Sequence, residues 1–383
     1  MWLNTMQREW RLIRQEPWLK AMLFFLPLSL FLLLWWIFSQ GIARDLPVGV
    51  VDLDHSRLSR GLIRYYDASP TLSVARQLSE VEEGTALMRS GEIYALVVIP
   101  DSLEKDTLLG RSPSVTVFYN AQFILIAKLI NSAFVSAQTT YAASIDTVSN
   151  MVSGTPVPLQ ALGQALPVRN QITPLFNSNS HYGQFLVSAA IPAMWQIFII
   201  ATTVMALAAE QRRQGLLAWL GQHPVKQLVS KLIPYAAVFI LQGVLFLWGM
   251  YSLLGWPMHG SWSILLVAQC LMVIACQSVA VLFFFLAMDV TRAMSFVAGF
   301  SAPAFAFMGI TFPATDMPAI ATGWRALLPV SHYIEIQVQQ VNYGTGLQQA
   351  MPQMMALAVF LLAMALAMLK MLVWRKRQLE GGV

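Results

Sequence analysis

The chain has 383 residues, of which 57% are hydrophobic and 11% charged, with a formal net charge of +5. That balance excludes an ordinary soluble globular protein and describes a polytopic membrane protein. One stretch departs from it: residues 43–183 are rich in charge and have the composition of a folded aqueous domain.

In chain order, residues 1–20 predict an amphipathic helix at the membrane surface, with Met6, Trp10 and Ile13 on one face and Arg8, Arg11 and Arg14 on another. A plain basic flank with snorkelling side chains is the alternative reading. Six apolar stretches are long enough to cross about 30 Å of hydrocarbon as helices. They are 21–42, 184–208, 232–254, 263–288, 293–311 and 353–373. The first exceeds the apolar core of a signal peptide and is followed by no A-x-A-like cleavage site, so it is expected to remain as a span. Asp289, Val290, Thr291 and Arg292 alone join the fourth and fifth, which makes that pair a helical hairpin. Cys270 and Cys276 both fall in the fourth, so the inserted domain must be stable without disulfides.

The insert opens with PVGVVDLD (47–54), passes through a polar helical stretch from Ser56 to Asp67, and returns to YALVVIP (94–100) and SVTVFYN (114–120). Short β-branched runs alternating with helical stretches predict a small α/β domain. Ser79 and Glu82 have the spacing of a capping box for a helix over 79–89, and 121–152 contains no breaker and reads as one long helix. Pro156, Pro158, Pro167 and Pro174 make 153–180 an irregular connector. Asp52, Asp54 and Ser56 superficially resemble the start of a calcium loop, but Arg57 and Ile63 stand where glycine and glutamate are needed. A strand-to-helix turn capped by Asp54 or Ser56 is the expectation.

Basic residues set the orientation. Arg8, Arg11, Arg14 and Lys20, then Arg212, Arg213, Lys226 and Lys231, then Arg292, and finally Arg375, Lys376 and Arg377 fall on one face, which the positive-inside rule makes cytoplasmic. The expected layout is therefore a 209–231 loop and a 374–383 tail in the cytoplasm with both termini, the 43–183 domain outside, and an outer segment over 312–352. The fold class is an α-helical polytopic membrane protein, six transmembrane helices with an α/β extracytoplasmic domain inserted between the first and second.

No catalytic pattern emerges. The histidines at 55, 181, 223, 259 and 332 have no metal-ligand spacing, no G-x-S-x-G is present, and no glycine is followed by lysine, so no P-loop of the usual form exists. The chain is expected to be no enzyme and to hold neither metal nor cofactor, and no nucleic-acid partner is expected. The spans lack central Asp, Glu or Arg, which disfavours an ion-coupled carrier. Gln196, Gln242, Gln269, Gln277 and Ser278 are read as helix-packing groups. An energy source outside the chain is implied.

One stretch carries a resemblance. EQRRQGLLAWLGQHPVKQLVSKLIPY (210–235) supplies Glu210, Arg212, Gly215, Pro224, Val225, Lys231, Leu232, Pro234 and Tyr235 in the order seen in the intracellular loop of ABC type-2 transporter permeases. REWRLIRQEPWLK (8–20), PVGVVDLDHSRLSRGLI (47–63), GITFPATDMP (309–318) and LLPVSHY (327–333) extend the similarity along nearly the whole chain. Leu216, Leu217 and Ala218 depart from the Thr and acidic residue that many relatives carry after the loop glycine.

The resemblance implies a multidrug or export-type permease of a bacterial inner membrane. In that family the loop forms a short coupling helix docking on a separate ATPase subunit, which binds ATP and Mg. It makes Glu210, Arg212, Arg213, Gly215, Pro224 and Lys231 the coupling residues, with Pro224 ending the helix and Glu210 and Arg212 pairing with charges on the ATPase. It makes Arg8, Trp10, Arg11 and Arg14 a second interfacial contact. It turns 312–352 into re-entrant helices, with Phe312, Pro313, Pro318, Trp324 and Pro329 shaping an outer gate; an amphipathic loop resting on the bilayer is the other reading. Implied partners are the ATPase, the lipid bilayer and a second permease half, identical or a paralogue, with or without a periplasmic adaptor. The implied cargo is amphipathic or hydrophobic: a drug, a lipid-like molecule or a metabolite. The rival reading is a membrane-anchored sensor or assembly protein with a ligand-binding outer domain.

Overall fold

A computed structural model describes residues 2–39, 41–152, 157–158, 175–177 and 181–380, with side chains from residue 7 onward. The chain divides into two compact units, Met1–Gly41 with Pro174–Val383, and Ile42–Thr173.

The first unit holds six membrane-spanning helices: Pro17–Ile37, Gly183–Gln214, Pro224–Leu253, Trp262–Ala287, Val290–Phe307 and Leu347–Glu380. Several run past the apolar stretches that announce them. The second continues to Gln214 and the third begins at Pro224, so most of 209–231 is helix rather than loop. Helix is the economical way out of hydrocarbon, because every backbone group stays bonded within the segment. Gly215, at φ 77° and ψ 147°, stops the second helix. Pro224 corrects an expectation: it occupies the first turn of the third helix, where the missing N–H costs nothing, and so starts a helix instead of ending one. The fourth and fifth helices are joined at Met288, which adopts positive φ, and Asp289 Oδ1 accepts the Arg292 N–H at 2.9 Å to cap the fifth.

The fourth helix is the hub, packed against the second, third and sixth. Burial reaches 61% of its apolar window, against 11%, 22% and 17% for the first, fifth and sixth, so those three present their apolar surface outward. Glutamine amides cross-brace the bundle: Gln269 Nε2 donates to Ile240 O at 2.6 Å, Gln277 Nε2 to Leu232 O at 3.1 Å, and Gln242 Nε2 to Leu23 O. Such bonds average about 0.6 kcal/mol in membranes, so they fix register more than they add stability. At Gly243 a Cβ would lie 2.5 Å from the Gln269 amide and 2.7 Å from the Trp195 ring, so only glycine admits that approach. Tyr182 N–H donates to Gly41 O at 2.6 Å, bringing together the points where the chain leaves and re-enters this unit.

The second unit is an α/β domain around a four-stranded sheet of order β2-β1-β3-β4: β1 (Leu46–Asp52), β2 (Leu72–Leu78), β3 (Ala95–Ile99) and β4 (Thr116–Tyr119). β1 lies parallel to β2 and β3, and β4 closes antiparallel on β3. Val48, Val50, Ala95 and Val97 pack on one face with the helices Arg57–Asp67 and Ile124–Val152, while Val51, Ile93 and Leu96 pack on the other with Val81–Ser90. β2 has no counterpart in the sequence reading; only Leu72 and Leu78 at its ends are buried, so an edge strand with Ala-Arg-Gln at its centre shows no apolar alternation. The Ser79–Glu82 capping box does not form: Glu80 is the N-cap of Val81–Ser90, without a side-chain bond.

The acidic turn is structural. Asp52 Oδ1 accepts the N–H of Asp54 and of His55 at 3.1 Å, its Oδ2 accepts the Ser59 hydroxyl at 2.7 Å, and Ser56 Oγ caps Ser59 N at 3.0 Å. Most of the 153–180 connector lies outside the described residues.

Candidate functional site: a buried charge cluster beside the short helix

The 209–231 region meets the N-terminal helix Trp2–Gln15 at one end of the membrane unit. Glu210 lies in the last turn of the second span helix, Lys231 in the second turn of the third, and Glu9 on the N-terminal helix; each is 1% exposed. Lys231 Nζ donates to Glu9 Oε2 at 2.8 Å and to Glu210 Oε1 at 2.9 Å. The other Glu210 oxygen takes Arg8 Nη2 at 2.5 Å and Gln214 Nε2 at 2.9 Å, and Tyr235 Oη lies 3.4 Å from Glu9. Trp219 and Tyr235 place their ring centres 6.0 and 5.8 Å from the ammonium. Two carboxylates and two cations balance, and both Glu210 oxygens, Glu9 Oε2 and the ammonium have partners, which is the condition for holding ions away from water.

The inward face of the N-terminal helix is therefore Glu9, Leu12 and Ile13. This differs from the expected Met6, Trp10 and Ile13 face: Trp10 is 42% exposed and stacked on Phe24 at 6.2 Å, and the Met6 side chain lies outside the described residues. Glu9 is held inward by its bond to Lys231, and Trp10, the next residue along the helix, lies on the more exposed side. Arg8 turns inward with it, while Arg11 and Arg14 are exposed and make no ion pair among the described residues.

The coupling residues expected from sequence thus divide. Glu210 and Lys231 are bound within the chain, and the Glu210 carboxylate faces inward, away from solvent. Arg212 and Arg213 sit at the surface, 3.6 and 3.7 Å from Glu16, and Arg213 donates to Gln15 Oε1 at 2.8 Å. These exposed pairs are screened and contribute about 0–1 kcal/mol. Between the two long helices a short helix, Leu216–Leu220, buries Leu216, Trp219 and Leu220 and leaves Ala218 exposed; Gly221, Gln222, His223 and Val225 continue that exposed surface. A Cβ at Gly215 would meet nothing within 4 Å, so positive φ rather than crowding calls for glycine there. Gln211 Nε2 reaches Met288 O at 3.4 Å, tying this junction to the turn between the fourth and fifth spans.

The expected outer-gate residues do not form one cluster. Phe312 and Pro313 are exposed, Pro318 caps the helix Ala319–Leu327, and Trp324 faces Phe307 at 6.4 Å between ring centres. Pro329 is buried and begins the helix Pro329–Val338, which packs against the second and fourth spans. Sequence reasoning passed over Glu9; the signal was there, an acidic residue in an otherwise basic amphipathic helix. Among the described residues no group of three or more His, Cys, Asp or Glu side chains is arranged to hold a metal ion.

A six-helix membrane unit, an N-terminal helix locked by buried charge to two span ends, and a short exposed helix beside them define a polytopic membrane protein with a rigid junction at one end of its helices. Residues 18–370 match the ABC-2 family transporter proteins, and the chain belongs to that family. Permeases of this type are generally transport subunits without catalytic activity that pair with an ABC ATPase subunit. No curated protein and no solved structure matches the chain.

Proposed function

We propose that this chain is one half of an ABC exporter, in which two six-helix halves form the pathway and separate ATPase subunits dock on the surface of Ala218, Gly221, Gln222 and His223. The observation that carries this is the buried Glu9–Lys231–Glu210–Arg8 cluster. A load applied to a five-residue helix moves a span only through a rigid joint, and this cluster ties the ends of the second and third spans and the N-terminal helix into one body. Glu210 and Lys231 act as positioning residues, while Arg212, Arg213 and Gly215 lie at the docking side. Arg11 and Arg14 face the lipid headgroups, and the junction lies in the cytoplasm of a bacterial inner membrane, with the 43–183 domain outside. The cargo is amphipathic or hydrophobic, because the buried polar groups along the middle of the spans are amides and hydroxyls, while the buried charges of Glu210 and Lys231 lie at the span ends.

The sensor reading has one observation in its favour, a cavity of about 320 Å³ in the inserted domain lined by Leu62, Leu103, Arg111, Gln138, Tyr141 and Asp146. One experiment separates the two. An ATPase subunit co-purifying in mild detergent supports the exporter, and Gly215→Trp is expected to abolish substrate-stimulated ATP hydrolysis while leaving membrane insertion intact. Absence of any ATPase partner, or unaltered stimulation in the variant, counts against the docking role.

A further inference from the structure

Between the fifth and sixth spans lies a hydrogen-bonded circuit that the transport reading does not use. Arg325 Nη2 donates to Glu335 Oε2 at 2.7 Å, and Gln353 Nε2 donates to Glu335 Oε1 at 2.7 Å. His332, 8% exposed, has Nδ1 2.6 Å from Gln353 Oε1 and Nε2 3.0 Å from Ala326 O. The circuit joins the helix Ala319–Leu327, the helix Pro329–Val338 and the start of the last span helix.

The directions of these bonds fix protons. A carboxylate paired with arginine only accepts, so the Gln353 amide must turn its NH₂ to Glu335 and its oxygen to His332. The Ala326 carbonyl also only accepts. Both imidazole nitrogens therefore face acceptors, and only the imidazolium ion has a proton for each. A neutral ring cannot be accommodated by turning Gln353 over, because its oxygen would then oppose the Glu335 carboxylate. Either way one acceptor faces another.

The groups around the ring come from several elements. Ala326 lies in the last turn of its helix, where unpaired carbonyls carry the negative end of the dipole. Glu335 is reached through one amide. Arg325 is the opposing charge, and it is neutralised by its own bond to Glu335. The second and fourth spans, packed against the His332 helix, carry no Asp, Glu, Lys or Arg over 183–209 or 262–287, and from the last span the Phe360 ring approaches at 6.2 Å.

We propose that His332 is a proton-binding site whose occupied state staples the 319–338 helix pair to the last span, and that loss of its Nδ1 proton to water opens the staple. The sign is fixed by the geometry: the staple is closed at low pH and opens as pH rises. This inference stands independently of the exporter reading.

The test uses the full chain in lipid nanodiscs with ¹⁵N-labelled imidazole rings, titrated across the range of about pH 5 to 8 in which histidine changes charge. The His332 signals are those lost in His332→Gln. The expected result is a doubly protonated ring at low pH that loses its Nδ1 proton as pH rises. In parallel, Ser331, 0% exposed, is replaced by cysteine in a chain lacking Cys270 and Cys276. Its modification is expected to quicken about five- to tenfold as the staple opens, the worth of one buried hydrogen bond, and His332→Gln should modify fast at every pH. Gln353→Met is expected to make the ring release its proton at lower pH. A ring carrying one proton throughout, or wild-type pH dependence retained in His332→Gln, overturns the proposal; if that variant does not fold, the wild-type and Gln353→Met spectra decide it.

Discussion

Lys231 shows what a single buried charge demands. It is 1% exposed and bonded to two carboxylates, so removing it leaves Glu9 without a counter-ion and Glu210 with Arg8 alone. Lys231→Met is expected to destabilise the membrane unit by about 3–5 kcal/mol, because breaking a buried pair strands the remaining charge. Replacing Glu9, Glu210 and Lys231 together with apolar or amide residues of similar size should recover most of that loss. Thermal unfolding in detergent measures both; a single variant as stable as the parent would show that the cluster does not hold the junction together. The triple variant has a second use. If it is stable but uncoupled from ATP hydrolysis, the charges matter for transmission and not for folding alone. Glu210 and Lys231 stood out in the sequence as part of a motif, yet their mutual pairing was not legible, since they lie on different helices.

At the scale of elements, the inserted domain has its own sheet, two apolar faces and no disulfide requirement, and a 44–170 fragment is expected to unfold cooperatively in a thermal scan. A broad, non-cooperative transition would show that it depends on the spans. Within it, Tyr66 packs edge-on against Phe134 at 5.0 Å and accepts from Gln138 at 2.8 Å. Burial pushes its phenol up to about 12, only partly offset by the Gln138 bond. Because the folded value lies above the unfolded value near 10, the stabilisation is fully present below about pH 10 and is lost as pH rises toward 12. The loss is on the order of 2–3 kcal/mol, and Tyr66→Phe should flatten that limb of the stability curve. An unchanged alkaline limb in the variant would remove Tyr66 as its source. The edge strand β2 escaped the sequence because its two ends alone face the core, whereas β1 and β3, at the sheet's centre, show as short apolar runs rich in valine and isoleucine.

For the molecule as a whole, the N-terminal helix, the 209–231 junction and the turn after the fourth span meet at one end of the membrane unit. Three segments separated by even numbers of spans share a face in any six-span topology. The remaining choice is which face, and we propose the cytoplasmic one from the Lys and Arg distribution. Cysteine introduced at Ser102 or His223 in a chain free of Cys270 and Cys276 tests this: Ser102→Cys should be modified from outside only and His223→Cys from inside only. The reverse pattern would invert the protein in the membrane.

Hydropathy by itself determined the number of spans and the position of the inserted domain, because crossing hydrocarbon imposes a length and a composition that neighbours cannot override. Motif spacing pointed to the 210–235 junction and to the family, because the residues of each motif are close along the chain. Only the tertiary structure decided which way the N-terminal helix faces, that Glu9 joins Glu210 on Lys231, and that His332, Gln353 and Glu335 form one circuit. Those pairings bring together groups from helices distant in sequence, and a buried charge or hydrogen bond is specified by the three-dimensional position of its partner, which no periodicity in the chain records.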